Sequence, residues 1–140
     1  MTAPGSVPAR IAAAMIGLVC VFQLAIVLGA PWGEFTQGGA NEGSLPAAGR
    51  AIAGVSLVLL AAMSLVLLAR VGAGPLRSAA PRLLAVLGWV TVVYFGLGIV
   101  LNLATPSTGE RMVWAPLTAV IFILALIAMI RSRRPAQAQQ

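Results

Sequence analysis

The side chains able to do chemistry crowd into two short stretches of this 140-residue chain. One is PWGEFTQGGANEGSLPAAGR, residues 31–50, which holds Trp32, Glu34, Gln37, Asn41, Glu42 and Arg50. The other is TGERMVW, residues 108–114, with Glu110, Arg111 and Trp114. Glu34, Glu42 and Glu110 are the only acids. Two carboxylates facing one point would serve as general acid and general base. The spacing of Glu34 and Glu42 does not make them converge, so no catalytic residue is assigned. A guanidinium–carboxylate pair in a region of reduced dielectric makes a strong, charge-assisted contact. Arg50–Glu110, and Arg111 with Glu34 or Glu42, are therefore the pairs to expect. The whole set reads as an outward-facing recognition site or as a structural clamp.

Metal and redox chemistry lack their usual ligands. The chain has no His, no Asp and one cysteine, Cys20, so the common zinc, haem and iron–sulfur sets are missing and no metal or cofactor is expected. Cys20 sits in an apolar run and reads as a small buried residue. Gly17-Leu18-Val19 ahead of it does not make a lipoprotein box.

A second group of polar residues falls inside long apolar stretches: Gln23, Ser56, Ser64, Thr91, Tyr94, Asn102 and Thr118. Thr91, Tyr94, Gly98 and Asn102 share roughly one helical face. Such groups bond across membrane helices for about 0.6–2 kcal/mol each, or they line a cavity between helices. None is charged. Proton- and ion-coupled carriers keep ionisable residues at membrane depth, which argues against a small-multidrug-resistance-type exporter, despite a similar length and span count.

The elements that must position these residues follow from composition. Hydrophobic residues make up 60% of the chain and charged residues 9%, against about 45–50% and 25% in soluble domains. Uncharged runs cover residues 11–30, 51–69, 83–104 and 113–130, each near the ~20 residues that cross a hydrocarbon core. The expected fold is all-α, a four-helix transmembrane bundle in one domain. Outer loops span 31–50 and 105–112, an inner loop 70–82 and a tail 131–140. The first run is too long for a signal peptide, Leu28 is a poor fit to a small-x-small cleavage site and Pro31 follows directly, so it is read as a retained helix. Pro116 is expected to bend the outer end of the fourth.

All nine basic residues are arginine, and the net charge is +6. They flank apolar runs instead of forming a stripe, which reads as topology and not as nucleic-acid binding. Arg10, Arg70, Arg77, Arg82, Arg131, Arg133 and Arg134 lie on one side; Arg50 and Arg111 lie on the other with all three acids. By the positive-inside rule both termini are cytoplasmic. Arginine without lysine, beside much Ala and Gly, suggests a GC-rich bacterium and hence a bacterial plasma membrane. Ser107-x-x-Glu110 has capping-box spacing. Ser44 is placed to cap the second helix and Pro81 to open the third. Trp32 and Trp114 then sit at the outer interface.

The pattern Pro31-Trp32-Gly33, Gly38-Gly39, Leu45-Pro46, Arg50, then Glu110-Arg111 and Trp114-x-Pro116 resembles a group of functionally uncharacterised small bacterial membrane proteins with four spans. That resemblance implies a membrane location and a repeated design of the outer loops, and no activity. The expectation is a non-enzymatic protein of the bilayer, an accessory or interaction subunit working through its outer loops, as a homo-oligomer or in a larger complex. The alternative is a small-molecule or lipid transporter or binding protein. Its cavity would open outward between the two hairpins, and Gln23, Tyr94, Asn102 and Glu110 would face one another.

Overall fold

The computed structural model describes residues 5–132, so the end of the basic tail, including Arg133 and Arg134, lies outside the described residues. The elements are α1 (Ser6–Val27), α2 (Ala47–Arg70), α3 (Pro81–Ala104) and α4 (Thr108–Arg131). Two short 3₁₀ turns, Gly33–Phe35 and Gln37–Gly39, lie between α1 and α2. No strand occurs among the described residues. All four helices are long and apolar enough to cross a membrane, and only 22–33% of each central stretch is buried in the bundle. Leu18, Val58, Leu101 and Met112 are each at least 67% exposed. Water would not tolerate such a surface, whereas lipid solvates it while the helices satisfy their own backbones. The chain is a small multi-pass membrane protein built as a four-helix bundle.

Helix ends depart from the apolar runs for local reasons. α1 begins at Ser6 instead of Ile11 and stops at Val27 instead of Ala30. Gly29 stops it, with φ at +96°. The Gly29 N–H bonds Ile26 O at 3.0 Å and the Ala30 N–H bonds Ala25 O at 2.9 Å, the paired closure of a Schellman motif. Gly72 ends α2 the same way, with Gly72 N–H on Ala69 O and Ala73 N–H on Leu68 O. Gln23, expected near the middle of its span, therefore lies about one turn from the end of α1. The other three helices start inside their polar flanks, at Ala47, Pro81 and Thr108, and of these only the last has a side-chain cap, from Ser107. Pro81 opens α3 as expected, and Pro116 is contained within a continuous α4.

Ser44 does not cap α2. Pro46 occupies the N-cap, and the Ser44 hydroxyl donates to Gly29 O at 2.7 Å, tying the end of α1 to the start of α2.

α1 packs along α2, α3 along α4, and α1 against α4; α2 packs less closely against α3 and barely touches α4. Toward the end carrying Ser6 and Arg131, Ile16, Leu67, Ile121, Ala125 and Met129 close a solid core. Toward the opposite end, here called the loop end, a smaller cluster of Ile26, Leu45 and Ala53 joins α1, α2 and the α1–α2 loop.

Candidate functional site

The α1–α2 loop folds back over the bundle as a roof. Gly33 N–H bonds Gly43 O at 2.8 Å, closing the loop on itself, and Gly33, Thr36 and Leu45 are buried. Gln37 adopts φ of +52°, uncommon for a residue with a side chain. Its amide Nε2 donates to Gly49 O at 2.7 Å, which anchors the turn to α2. On the other flank, the Ser107 hydroxyl donates to Glu34 O at 2.7 Å, and the Trp114 indole Nε1 donates to Phe35 O at 2.6 Å. Aromatic packing completes the roof. Phe22 stacks on Trp32 with centroids 5.9 Å apart and meets the edge of Trp114 at 4.6 Å.

Glu110 is the hinge of this arrangement. Ser107 caps α4 as expected, its hydroxyl accepting the Glu110 N–H at 3.0 Å. The reciprocal half of the capping box is not made. Instead Glu110 Oε2 accepts the Gly38 N–H at 3.0 Å and the Thr105 hydroxyl at 2.7 Å. One carboxylate thereby joins the roof to the α3–α4 turn. The expected Arg–Glu clamps are replaced by bonds to backbone. Arg50 Nε donates to Val27 O at 2.8 Å and Arg111 Nη2 to Thr105 O at 2.6 Å. The reason is local supply: helix and turn carbonyls left open at the ends of α1 and α3 lie within reach of each guanidinium, and they take its N–H groups. Glu34 and Glu42 are exposed, as is Gln37; Asn41 is half-buried, and Trp32 remains 43% exposed despite its stacking.

Beneath the roof lies a cavity of about 450 Å³. Its polar groups come from three helices and the roof: Gln23 from α1, Thr36 from the roof, Tyr94 and Asn102 from α3, Glu110 and Thr118 from α4. Apolar walls are supplied by Phe22, Leu60, Phe95, Trp114 and Ile121 among others. Asn102 Nδ2 donates to the Thr118 hydroxyl at 2.9 Å, bridging α3 and α4. Gln23 Oε1 is buried with no partner among the described residues. Leu97, Leu101 and Tyr94 line the cavity and are also exposed, so the mouth opens sideways along α3 toward the lipid, not straight out through the roof.

Three residues of the expected intramembrane group stand apart. The Ser64 hydroxyl of α2 donates to Ala13 O of α1 at 3.2 Å. The Thr91 hydroxyl is buried and donates to Leu87 O of its own helix at 2.9 Å. Ser56 is half-buried on α2, outside the cavity. Glu34 and Glu42 do not line the cavity either, so the two-carboxylate arrangement needed for acid–base chemistry is not assembled there. Sequence reasoning missed Phe35, Thr36 and Thr105 and saw Gly38 only as half of a glycine pair; these contribute mostly backbone groups or short hydroxyls. The Gly29 signal near the end of the first apolar run was available and would have moved Gln23 to the loop end.

Compared with protein-family models, with curated proteins and with solved structures, the chain matches none.

Proposed function

We propose that this protein binds a small amphiphile in the roofed cavity, as a binder and not an enzyme. One observation carries the reading: Gln23, Tyr94, Asn102 and Glu110, scattered over three helices, converge on one half-open chamber beneath a hydrogen-bonded loop. A volume of about 450 Å³ lies in the range of small-molecule sites, roughly 300–1,000 Å³, which are typically apolar with a few aimed polar groups. The polar groups that call for a partner are acceptors, the bare Gln23 Oε1 and the Glu110 carboxylate. A ligand with an N–H or O–H head and an apolar body satisfies both, and a lateral mouth admits it from the bilayer. The solid core below makes the chamber one-ended, which supports holding and presenting a ligand over passing it through. As an interaction surface the loop has less left to offer, because Gln37, Ser44 and the Phe35 carbonyl already bond within the chain.

The test uses the full chain in detergent, with Trp32 and Trp89 changed to Phe, and a brominated alkylamine as quencher of Trp114. Saturable quenching is expected. Glu110→Gln, which still accepts the Gly38 N–H, should weaken the amine about tenfold while leaving the matching brominated alcohol nearly unchanged, since a charge-assisted bond is worth roughly 1–2 kcal/mol more than a neutral one. Linear, non-saturable quenching equal to that of free tryptophan in the same micelles would sink the proposal.

The proposal places the loop end outside a bacterial plasma membrane, supported by the Arg10, Arg70, Arg77, Arg82 and Arg131 cluster at the opposite end. The four-span group that the loop motifs resemble belongs to the same reading. In a Cys20→Ser background, Glu42→Cys should react with an impermeant maleimide in intact cells and Ser78→Cys only after lysis. The reverse pattern would invert the topology.

A further inference from the structure

A second groove runs along the lipid side of α3 at the other end of the bundle. Its volume is about 650 Å³, and among the described residues its lining is Ala85, Val86, Trp89, Val90, Val93, Tyr94 and Leu97, with a single charge, Arg70. Arg70 is the last residue of α2, and its stem lies over Gly88 of α3, the Cγ 3.6 Å from where a β-carbon there would sit. Its Nη2 donates to the Ser132 hydroxyl at 3.0 Å, while Nε is buried with no partner among the described residues. A cation at one end and unbroken apolar wall thereafter is the profile of a lipid anion. From Ala85 to Leu97 α3 rises roughly 18 Å, close to one leaflet of a ~30 Å hydrocarbon core. Arg10, Arg77, Arg82 and Arg131 stand exposed at the same end of the bundle, so the surrounding surface draws anionic headgroups.

We infer that the groove between α2 and α3 holds one acyl chain of an anionic phospholipid, whose phosphate pairs with Arg70. The four exposed arginines supply general attraction; Arg70 fixes the headgroup because, among the described residues, it is the arginine that lines the groove. The site is independent of the roofed cavity, although the tip of the bound chain reaches Tyr94 and Leu97, which both share.

Native mass spectrometry of the full chain with phosphatidylglycerol and phosphatidylcholine of matched acyl chains tests this. The parent chain should retain one phosphatidylglycerol with about fivefold preference. Arg70→Gln should abolish the preference and leave phosphatidylcholine retention as it was. Arg77→Gln, at an exposed position away from the groove, should keep the preference. Ala85→Phe and Val90→Phe fill the groove with Arg70 intact and should lower retention of both lipids, which keeps the test decisive if Arg70→Gln does not fold. Equal retention of the two lipids by the parent chain, or equal loss in Arg70→Gln and Arg77→Gln, would overturn the inference.

Discussion

Replacing Gly33 by alanine should release the α1–α2 loop from the bundle while the four helices stay formed. The β-carbon added at Gly33 would overlap the Asn41 carbonyl oxygen and sit 2.7 Å from Gly43 O. Both obstacles are backbone, and the Gly33 N–H is itself bonded to Gly43 O, so neither side yields without opening the loop. Overpacking of this kind costs about 1–3 kcal/mol, and Gly33→Val should lie at the upper end. Helical circular dichroism should be unchanged, thermal stability in detergent lowered, and proteolysis within residues 36–44 accelerated. With the roof gone, the quenching of Trp114 by the alkylamine should lose its saturation. Gly17→Ala is the matched control. Nothing lies within 4 Å of its added β-carbon, and alanine is favoured over glycine in a helix by roughly 0.5–1 kcal/mol. A Gly33→Ala chain as stable and protease-resistant as the parent would mean that the roof does not depend on this contact.

Trp114→Ala should be the most damaging substitution at the loop end. The indole holds the roof through Phe35 O, meets the edge of Phe22 and forms part of the cavity wall. Truncation of a large aromatic typically costs about 3–5 kcal/mol. Trp114→Phe separates the contributions. It keeps most of the ring and removes the donor, leaving the Phe35 carbonyl short of a partner at a cost of about 1–3 kcal/mol. A cycle of Phe22→Ala with Trp114→Ala should return a coupling of roughly 0.5–1.5 kcal/mol for the edge contact. If Trp114→Phe and Trp114→Ala melt together with the parent chain, the indole is not a fastening.

Much of this arrangement follows from composition and spacing. Four uncharged runs of about 20 residues have few options, because a backbone in hydrocarbon must bond to itself. Pro81 and Ser107 mark their helix starts through local chemistry that needs no distant partner. Gln23, Tyr94, Asn102 and Glu110 were recognisable as the unusual polar residues, since few others occur within the spans or at their edges.

The details of the site were less legible. Arg50 and Arg111 were matched to carboxylates on charge alone, yet they bond Val27 O and Thr105 O. Nothing in a string of side chains records which carbonyls a helix end leaves open. Glu110 had two possible partners, its own N-cap and the loop, and only the path of the loop past Gly38 chose between them. Phe35 contributes through a carbonyl oxygen, a group every residue has, so its type gave no signal.

Residues 31–50 show where the boundary falls. By itself the sequence determined that a glycine-rich, amide- and acid-bearing segment joins two spanning helices at one end of a bundle. Apolar length and charge placement are properties of the chain read locally, and they suffice for that. Only the tertiary structure decided that the segment is a roof, that a half-open cavity lies beneath it, and that one carboxylate serves both the roof and the cavity. Those outcomes depend on the side chains of Ser107, Glu110 and Trp114 meeting loop backbone groups more than 70 residues away at 3 Å or less, distances set by how the helices pack.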